Sequence, residues 1–261
     1  MKLHFHVNGE KPEAAAHRDA LAAEAARLGL AVVAEGRAAD VVVALGGDGT
    51  LLRAVHGYPG VPVLGFKLGG LGYLSSVGER DFAAALAALA AGRYRVSERR
   101  LLQVGRHAAL NDVVLTREMS GHSARLDLEA DGKLVTRYMA DGLIFATPTG
   151  STAYSLAAGG PVLMPDSRSF VVTPLNPHAL GVRPLVVSDA VSFTVTVRPR
   201  TAGNALRVGV YADGENVGAL GAGEQVTIAK SAASAQLVEL EGYDPYDVLA
   251  RKLGWSGSNV T

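Results

Sequence analysis

Apolar and polar residues follow two different rhythms along the chain, and the first occupies roughly its first third. Residues 3–7 alternate apolar and polar positions as in a strand, and the Ala-rich residues 12–28 repeat apolar side chains with helical spacing. Residues 41–45 and 61–66 are continuous apolar runs typical of strands buried on both faces, and residues 81–91 again have a helical pattern. Strands that alternate with helices predict an α/β layer with a mainly parallel sheet, in which ligands bind at the carboxyl ends of the strands.

The second rhythm begins after about residue 95, where turn residues rather than helices separate the apolar segments. Residues 191–197, 206–212 and 225–231 alternate apolar and polar positions and are separated by Gly, Asn and Asp. This pattern predicts a mostly antiparallel, β-rich region. A short helical pattern interrupts it at residues 152–158.

The C-terminal tail carries the start and stop signals of a helix. Asp244 can cap the helix, Pro245 suits its first position, and Gly254 suits its end. We therefore predict a final helix after the β-rich region.

Composition excludes several classes of protein. The chain has 261 residues, of which 48% are apolar, so it can build a sizeable core. Lys plus Arg and Asp plus Glu each total 25, so no net charge attracts nucleic acid or an acidic membrane. The absence of Cys excludes disulfides, thiolate metal sites and a Cys nucleophile. No signal-peptide core and no apolar window of about 18 residues is visible, so we expect a cytoplasmic protein that binds no nucleic acid and no membrane.

The stretch LGGDGTLL, residues 45–52, follows the first buried apolar run. Gly46, Gly47 and Gly49 let the backbone approach a ligand closely, and a helix that starts here offers unpaired N–H groups to an anion. Asp48 would repel phosphate unless it binds a metal ion or accepts a proton from a hydroxyl that is being phosphorylated. The alternative is a tight turn in which Asp48 only caps the helix. The stretch matches neither the Walker A pattern nor G-x-G-x-x-G.

A second unusual stretch, DGLIFATPTGSTAYSLAAGGPV, covers residues 141–162. Its small and hydroxyl residues form a loop rich in hydrogen-bond donors ahead of the short helical pattern, which suits a nucleotide or its phosphates. The alternative is a structural turn rich in Gly and Thr. The residues concerned are Thr147, Thr149, Gly150, Ser151 and Thr152.

Four segments together resemble the bacterial NAD kinases. GGDGT at residues 46–50, NDVVL from residue 111, the block at 141–161 and PHALGVRPLV at 177–186 occur in that family in this order and at similar spacing. GGDGT alone is shared with diacylglycerol and sphingosine kinases, whereas the 141–161 block is far more specific. The resemblance extends from about residue 40 to the KLGW near the C-terminus.

The resemblance implies a fold and a reaction. The fold has an α/β domain at residues 1–96 that carries GGDGT, a β-rich NAD-binding domain at residues 97–243, and a C-terminal helix, 244–261, that joins the first domain. The reaction transfers the γ-phosphoryl group of ATP, or of polyphosphate as an alternative donor, to the 2′-hydroxyl of the adenosine ribose of NAD. A divalent ion, Mg²⁺ or Mn²⁺, would accompany ATP, and no protein ligands for a metal are assigned. Homo-oligomers, tetramers or dimers, are usual in the family.

The resemblance also assigns roles to individual residues. Asp48 is the catalytic base, and Gly46, Gly47, Gly49 and Thr50 bind phosphate or ATP. The residues assigned to NAD are Asp48, Gly49, Arg53, Asn111, Asp112, His122, Asp141, Thr152, Ala153, Tyr154, Ser155, Leu156, Ala157, Asn176 and Glu215.

Several assigned residues have simpler interpretations, and others depart from the family pattern. Arg53 also fits a solvated helix face, Asn111 and Asp112 a turn, and Tyr154 the core. Asp112 stands where the family commonly has Glu, Lys67 where Asn is more usual, and Glu215 near a position often held by Gln.

Two other functions stay open from the sequence. A lipid kinase would share GGDGT, but the chain shows no basic amphipathic helix that would hold it on a bilayer. A noncatalytic nucleotide-sensing protein would keep the fold without turnover, and an intact Asp48 is only weak evidence against it.

Overall fold

The computed structural model describes residues 1–7, 12–68, 72–74, 77–118, 123–199 and 207–255. The chain forms two compact units, the first made of Met1–Glu98 and Ala235–Thr261 and the second of Arg99–Ser234. None of the helices in these described ranges is both long and apolar enough to cross a membrane.

Five α-helices and three 3-10 turns are present in the described residues. The helices are α1 (Pro12–Arg27), α2 (Asp48–Gly57), α3 (Phe82–Ala90), α4 (Tyr154–Ala157) and α5 (Pro245–Leu253), and the 3-10 turns cover Gly36–Ala38, Glu79–Asp81 and Gly150–Thr152.

The strands fall into three groups. Those of the first unit are β1 (Lys2–Val7), β2 (Ala31–Val32), β3 (Val41–Leu45), β4 (Val63–Lys67) and β5 (Val77–Gly78). Those with residues in both units are β6 (Tyr94–Val104) and β17 (Gln225–Leu240). Those of the second unit are β7 (His107–Ala109), β8 (Asp112–Arg117), β9 (Ala124–Ala130), β10 (Lys133–Ala140), β11 (Gly142–Ala146), β12 (Ser169–Leu175), β13 (Leu185–Ser188), β14 (Phe193–Arg198), β15 (Val208–Ala212) and β16 (Glu215–Leu220).

A parallel sheet in the order β2-β1-β3-β4 organises the first unit. β5 and Leu237 of β17 also pair in parallel with β4. The chain goes from β1 to β2 on one side and then to β3 on the other, so the strand order reverses between β1 and β3. Ligands of open α/β sheets bind at the carboxyl ends of the strands at such a switch point. The predicted α/β layer is confirmed, and GGDGT starts directly after β3.

The core of the first unit contains both the strand and the helix patterns seen in the sequence. All five residues of Val41–Leu45 are buried, as a strand covered on both faces requires. Leu21 and Ala25 of α1 are also buried. Phe82 of α3 stacks on Phe66 of β4 with 4.4 Å between ring centroids. The helix over residues 81–91 is therefore confirmed within a residue at each end.

The strand expected over residues 61–66 is shorter at its start. It begins at Val63, because Pro62 has no N–H to offer a neighbouring strand. The Pro62 carbonyl still accepts a hydrogen bond from the Val42 N–H at 2.9 Å. The hydrogen bonding to β3 therefore extends one residue before β4, to Pro62.

A final helix with the predicted caps is present over Pro245–Leu253, and residues 256–261 of the segment 244–261 lie outside the described residues. The Asp244 carboxylate accepts a hydrogen bond from the Tyr246 N–H at 2.8 Å, and Pro245 is the first helical residue. Gly254 ends α5 in the left-handed conformation with φ 66°, which glycine adopts without strain.

The second unit is a sandwich of antiparallel sheets. One sheet has the order β13-β12-β11-β8-β15-β16, and the other contains β10-β9-β14-β17. Their inner faces share one core, in which Phe145 of β11 lies 5.2 Å from Phe193 of β14 between ring centroids. The predicted β-rich region is confirmed.

The helical pattern over residues 152–158 does not form one helix. A 3-10 turn ends at Thr152, and α4 starts at Tyr154, because Ala153 between them has φ −101° and ψ −126°. Ala158 and Leu163, which follow, pack on the outer face of the six-stranded sheet against Ile144 and Val171. The chain after the second motif therefore covers this face of the sheet.

Candidate active site

The GGDGT loop joins β3 to α2 by a turn that only glycine adopts easily. Gly46 has φ 154°, and a Cβ atom built on it would collide with the Thr50 side chain. The Gly46 N–H donates to the Phe66 carbonyl at 2.9 Å, and the Thr50 N–H donates to the Gly47 carbonyl at 2.9 Å. These bonds fix the loop at the carboxyl end of the sheet.

Asp48 is the first residue of α2, but it does not cap the helix. Gly47 occupies the N-cap position without a side-chain bond, so the interpretation of Asp48 as a cap is wrong. The Asp48 carboxylate instead accepts hydrogen bonds from the backbone N–H groups of Tyr73 at 2.9 Å and Leu74 at 3.3 Å. A Cβ atom built on Gly72 would collide with this carboxylate, so a glycine there permits the close approach.

Residues 72–74 form the support of Asp48, and sequence reasoning missed them. Burial and the charge of Asp48 raise the pKa of Tyr73 above its ordinary value. The Lys252 ammonium of α5 lies 5.5 Å from the centroid of the Tyr73 ring, a cation–π contact. The final helix therefore contacts the segment that orients Asp48.

Arg53 lies one turn along α2 from the loop. Its side chain is exposed and its Nη2 atom lies 3.4 Å from Thr50 Oγ1. His6 of β1 lies close enough to Arg53 for the Arg53 charge to affect its pKa. Burial lowers the pKa of His6 most, followed by the charge of His4 and then by that of Arg53. The His6 Nε2 atom is buried without a hydrogen-bond partner among the described residues.

In the second unit, Asp213 organises the segment that contains Asn111 and Asp112. Its carboxylate accepts three backbone hydrogen bonds, from Leu110 and Asn111 at 2.7 Å each and from Asp112 at 3.1 Å. The Asp213 N–H donates back to the Asp112 carbonyl at 2.9 Å. Asp213 itself has φ 49°, a conformation that Asp tolerates better than most residues. Sequence reasoning missed this residue, although the turn signal Asp-Gly at 213–214 was visible.

Asp112 is buried, with 6% of its surface exposed. Burial, with a smaller effect of the Asp213 charge, raises the pKa of Asp112 to about 7. Asn111 is partly exposed. Of these two predicted NAD contacts, only Asn111 presents appreciable surface to a ligand.

Hydroxyl groups of the second motif bond within the protein. Thr147 Oγ1 donates to the Leu110 carbonyl at 2.5 Å and accepts from the Gly150 N–H at 3.0 Å. Ser151 Oγ donates to the Pro148 carbonyl at 2.7 Å. A Cβ atom built on Gly150 would collide with the Asn111 carbonyl, so the loop packs tightly on the Asn111 segment. These hydroxyls build the loop rather than face a ligand.

The predicted contacts at residues 152–157 differ in exposure. Tyr154 is 48% exposed, so its interpretation as a core tyrosine is wrong and its ring is open to stacking. Ser155 has no exposed surface, and its hydroxyl lies 2.8 Å from Thr173 Oγ1. Ala157 is exposed, and Thr152, Ala153 and Leu156 are partly exposed.

Two further predicted contacts, Asp141 and Asn176, touch each other. Asn176 Nδ2 donates to Asp141 Oδ2 at 3.0 Å, and Arg117 Nε donates to Asp141 Oδ1 at 2.6 Å. The Arg117 guanidinium, followed by Asn176, lowers the pKa of Asp141. Glu215, the first residue of β16, is exposed. His122 lies outside the described residues.

No group of three or more His, Asp or Glu side chains within the described ranges has an arrangement suited to a metal ion.

Two family models cover most of the chain. The model of the ATP-NAD kinase N-terminal domain matches residues 6–94, and that of the ATP-NAD kinase C-terminal domain matches residues 110–240. An NAD kinase of Symbiobacterium thermophilum is 40% identical over 225 residues, which is 82% of this chain and 78% of the relative. An NAD kinase of Syntrophotalea carbinolica is 37% identical over 227 residues, 83% of this chain and 78% of the relative.

Solved structures share the fold. An NAD kinase from Archaeoglobus fulgidus in complex with ATP superposes with a TM-score of 0.81 at 25% identity, over 98% of this chain and 100% of that one. A yeast NADH kinase complexed with NADH superposes with a TM-score of 0.82 at 24% identity, over 100% of this chain and 90% of that one.

Two features place this protein among the kinases. They are a glycine loop with an oriented carboxylate at an α/β switch point, and a β-sandwich unit in the same chain. The chain belongs to the NAD kinase family. The predicted family, fold class and enzyme class are confirmed.

Proposed function

We propose that this protein transfers the γ-phosphoryl group of ATP to the 2′-hydroxyl of the adenosine ribose of NAD, with Asp48 as the general base. The observation that carries the proposal is the Asp48 carboxylate, held by two backbone N–H groups beside the glycine loop. A ribose hydroxyl is a poor nucleophile at neutral pH, so a positioned carboxylate that takes its proton supplies what the reaction most needs.

Asp48 takes the proton of the 2′-hydroxyl while that oxygen forms a bond to the γ-phosphorus. The bond between the γ-phosphorus and the bridging oxygen breaks, ADP leaves, and the carboxyl group later releases the proton to water. The amides around Gly47 and Gly49 bind phosphate, so most of the remaining catalysis comes from positioning and electrostatics.

A divalent ion, Mg²⁺ or Mn²⁺, enters with ATP in this proposal. The ion is bound by the nucleotide's own oxygens and by water, so it needs few protein ligands. When bound, it neutralises charge on the phosphates.

The proposal assigns NAD contacts to residues of the second unit. Asn111 offers an amide to the adenosine, Tyr154 offers an exposed ring for stacking, and Glu215 lies on the strand that starts beside Asp213. Asp112 and Ser155 are buried, so neither presents appreciable surface to NAD in this proposal. The proposal also includes a cytoplasmic location and a homo-oligomer, a tetramer in preference to a dimer.

The test is an assay of the purified protein with NAD, ATP and Mg²⁺, in which NADP formation is measured and diacylglycerol is offered as a competing acceptor. We expect NADP and no phosphorylated lipid. Phosphorylated lipid would favour a lipid kinase, and NAD binding without turnover would favour a noncatalytic sensor.

The role of Asp48 has a sharper test. Asp48→Asn should keep NAD affinity within a few-fold but lose at least ~100-fold in turnover, the lower end of general-base contributions. Binding is measured by calorimetry and turnover by NADP formation. Turnover that survives the substitution would show that Asp48 is not the base.

A further inference from the structure

We infer that the Lys67 ammonium binds the phosphate groups of the phosphoryl donor at the GGDGT loop. The inference rests on the proposed function, because it requires that this loop receives the donor. It adds a cationic residue to the site and assigns its contact to the phosphates rather than to the base or the ribose of the nucleotide.

The position of Lys67 follows from the sheet register. β3 and β4 are parallel neighbours, with Leu45 opposite Phe66, so Lys67 lies at the level where β3 passes into Gly46. The Gly46 N–H donates to the Phe66 carbonyl at 2.9 Å, which ties the start of the glycine loop to the residue before Lys67. The end of β4 therefore holds Lys67 beside the loop.

The side chain also reaches the loop. A Cβ atom built on Gly47 would lie 3.2 Å from Lys67 Nζ, so the ammonium sits directly against the backbone of the second glycine. Since Gly47 has no side chain, nothing of that residue separates the charge from a ligand that approaches the loop. A lysine contributes three N–H donors and a point charge, which suits phosphate oxygens.

Lys67 has no ion-pair partner among the residues that the structure describes. Arg95, Arg117 and Arg198, by comparison, each form an ion pair with a carboxylate. The Lys67 side chain is partly exposed. Arg53 is exposed as well, and its Nη2 atom lies 3.4 Å from Thr50 Oγ1, so a second cation lies near the loop that carries the Asp48 carboxylate. A polyanion such as the triphosphate of ATP complements this charge.

The experiment compares Lys67→Met, Lys67→Arg and the control Lys2→Met. Lys2 is an exposed lysine on β1 of the same parallel sheet, but at the amino ends of the strands. We expect Lys67→Met to raise the KM for ATP about tenfold and to leave the KM for NAD within twofold, because one charged hydrogen bond to phosphate is lost. Lys67→Arg should stay within about threefold of the parent, and Lys2→Met should not differ from it.

A second readout separates phosphate from the rest of the nucleotide. Inorganic tripolyphosphate should inhibit competitively with ATP, and its inhibition constant should rise by the same factor of about ten in Lys67→Met. Sodium chloride should raise the KM for ATP more steeply in the parent than in Lys67→Met, because the contact is electrostatic.

Three results would overturn the inference. The first is an unchanged KM for ATP in Lys67→Met, and the second is an unchanged inhibition by tripolyphosphate. The third is a rise confined to the KM for NAD, which would assign Lys67 to the pyrophosphate of the acceptor. If the parent protein makes no NADP, the proposed function fails, and calorimetry of tripolyphosphate with the parent and with Lys67→Met still tests Lys67. Equal binding by both would then reject it.

Discussion

The two motifs that identify the family use their polar groups in opposite ways. Around the glycine loop of the first unit, Lys67 of β4 is partly exposed, Arg53 of α2 is exposed, and Asp48 is oriented by backbone groups from another segment. In the second unit, the hydroxyls of Thr147 and Ser151 are buried and bonded within their own loop.

This difference separates two reasons for a motif to be polar. A residue such as Asp48 is needed for what it can do to a ligand, whereas a residue such as Thr147 is needed so that its loop can exist at all. The first kind is expected to change activity with little effect on stability. The second kind is expected to change stability first, with activity following from the loop that is lost.

The largest effect is expected from Asp112, whose burial raises its pKa to about 7. Between the ordinary pKa of Asp and about 7, the unfolded chain has lost this proton while the folded protein keeps it. The free energy of unfolding should therefore fall as the pH rises through this range, by up to about 4 kcal/mol in total, and the loss should be constant above it. Asp112→Asn cannot ionise and removes this loss.

The measurement is urea unfolding of the parent and of Asp112→Asn at intervals from pH 4.5 to 8, followed by circular dichroism. The stability of the variant relative to the parent should increase with pH up to about 7 and then level off. A difference that does not vary with pH would show that Asp112 is already ionised in the folded protein.

Much of the fold could be predicted from the sequence, because local patterns carry it. The buried run Val41–Leu45 and the caps of α5 at Asp244 and Gly254 depend on neighbouring residues only. The supports of the site depend on distant ones. Tyr73 donates to a carboxylate 25 residues earlier, and Asp213 accepts from amides 101 to 103 residues earlier. No local pattern records such a pairing.

The hydrogen-bond partners of a hydroxyl group cannot be predicted from the sequence either. Residue type shows that Thr147 can donate and accept, but not that both bonds are made inside the protein. The same limit applies to Tyr154, which the sequence alone assigned to the core and which is exposed.

The next effect in size concerns Asp213, the acceptor of three backbone hydrogen bonds. Asp213→Gly keeps the positive φ without strain but leaves those N–H groups without their acceptor, and we expect a loss of about 3 kcal/mol in stability. The KM for NAD should rise as the Asn111 segment loosens. Asp213→Asn retains one acceptor oxygen and should lose less than half as much.

Hydrogen exchange at residues 110–112 gives the direct readout for Asp213. These amides should exchange faster in Asp213→Gly than in Asp213→Asn, while amides of the first unit should be unaffected. Unchanged protection at residues 110–112 would show that the carboxylate does not hold this segment.

The smallest effect compares the same substitution in the two loops. Gly150→Ala places a Cβ atom against the Asn111 carbonyl. Because this group belongs to the backbone, its displacement costs free energy, and we expect the free energy of unfolding to fall by about 1–3 kcal/mol. A Cβ atom built on Gly49 has no atom of the described residues within 4 Å, so Gly49→Ala should change stability by less than about 0.5 kcal/mol. Thermal unfolding and the KM for both substrates are measured for each variant. We expect the added methyl group to raise the KM for ATP at residue 49 and to reduce stability only at residue 150. This result would show that the first loop serves ligand binding and that the second loop serves the packing of the protein. Equal losses of stability at both positions would show that the two loops are packed alike.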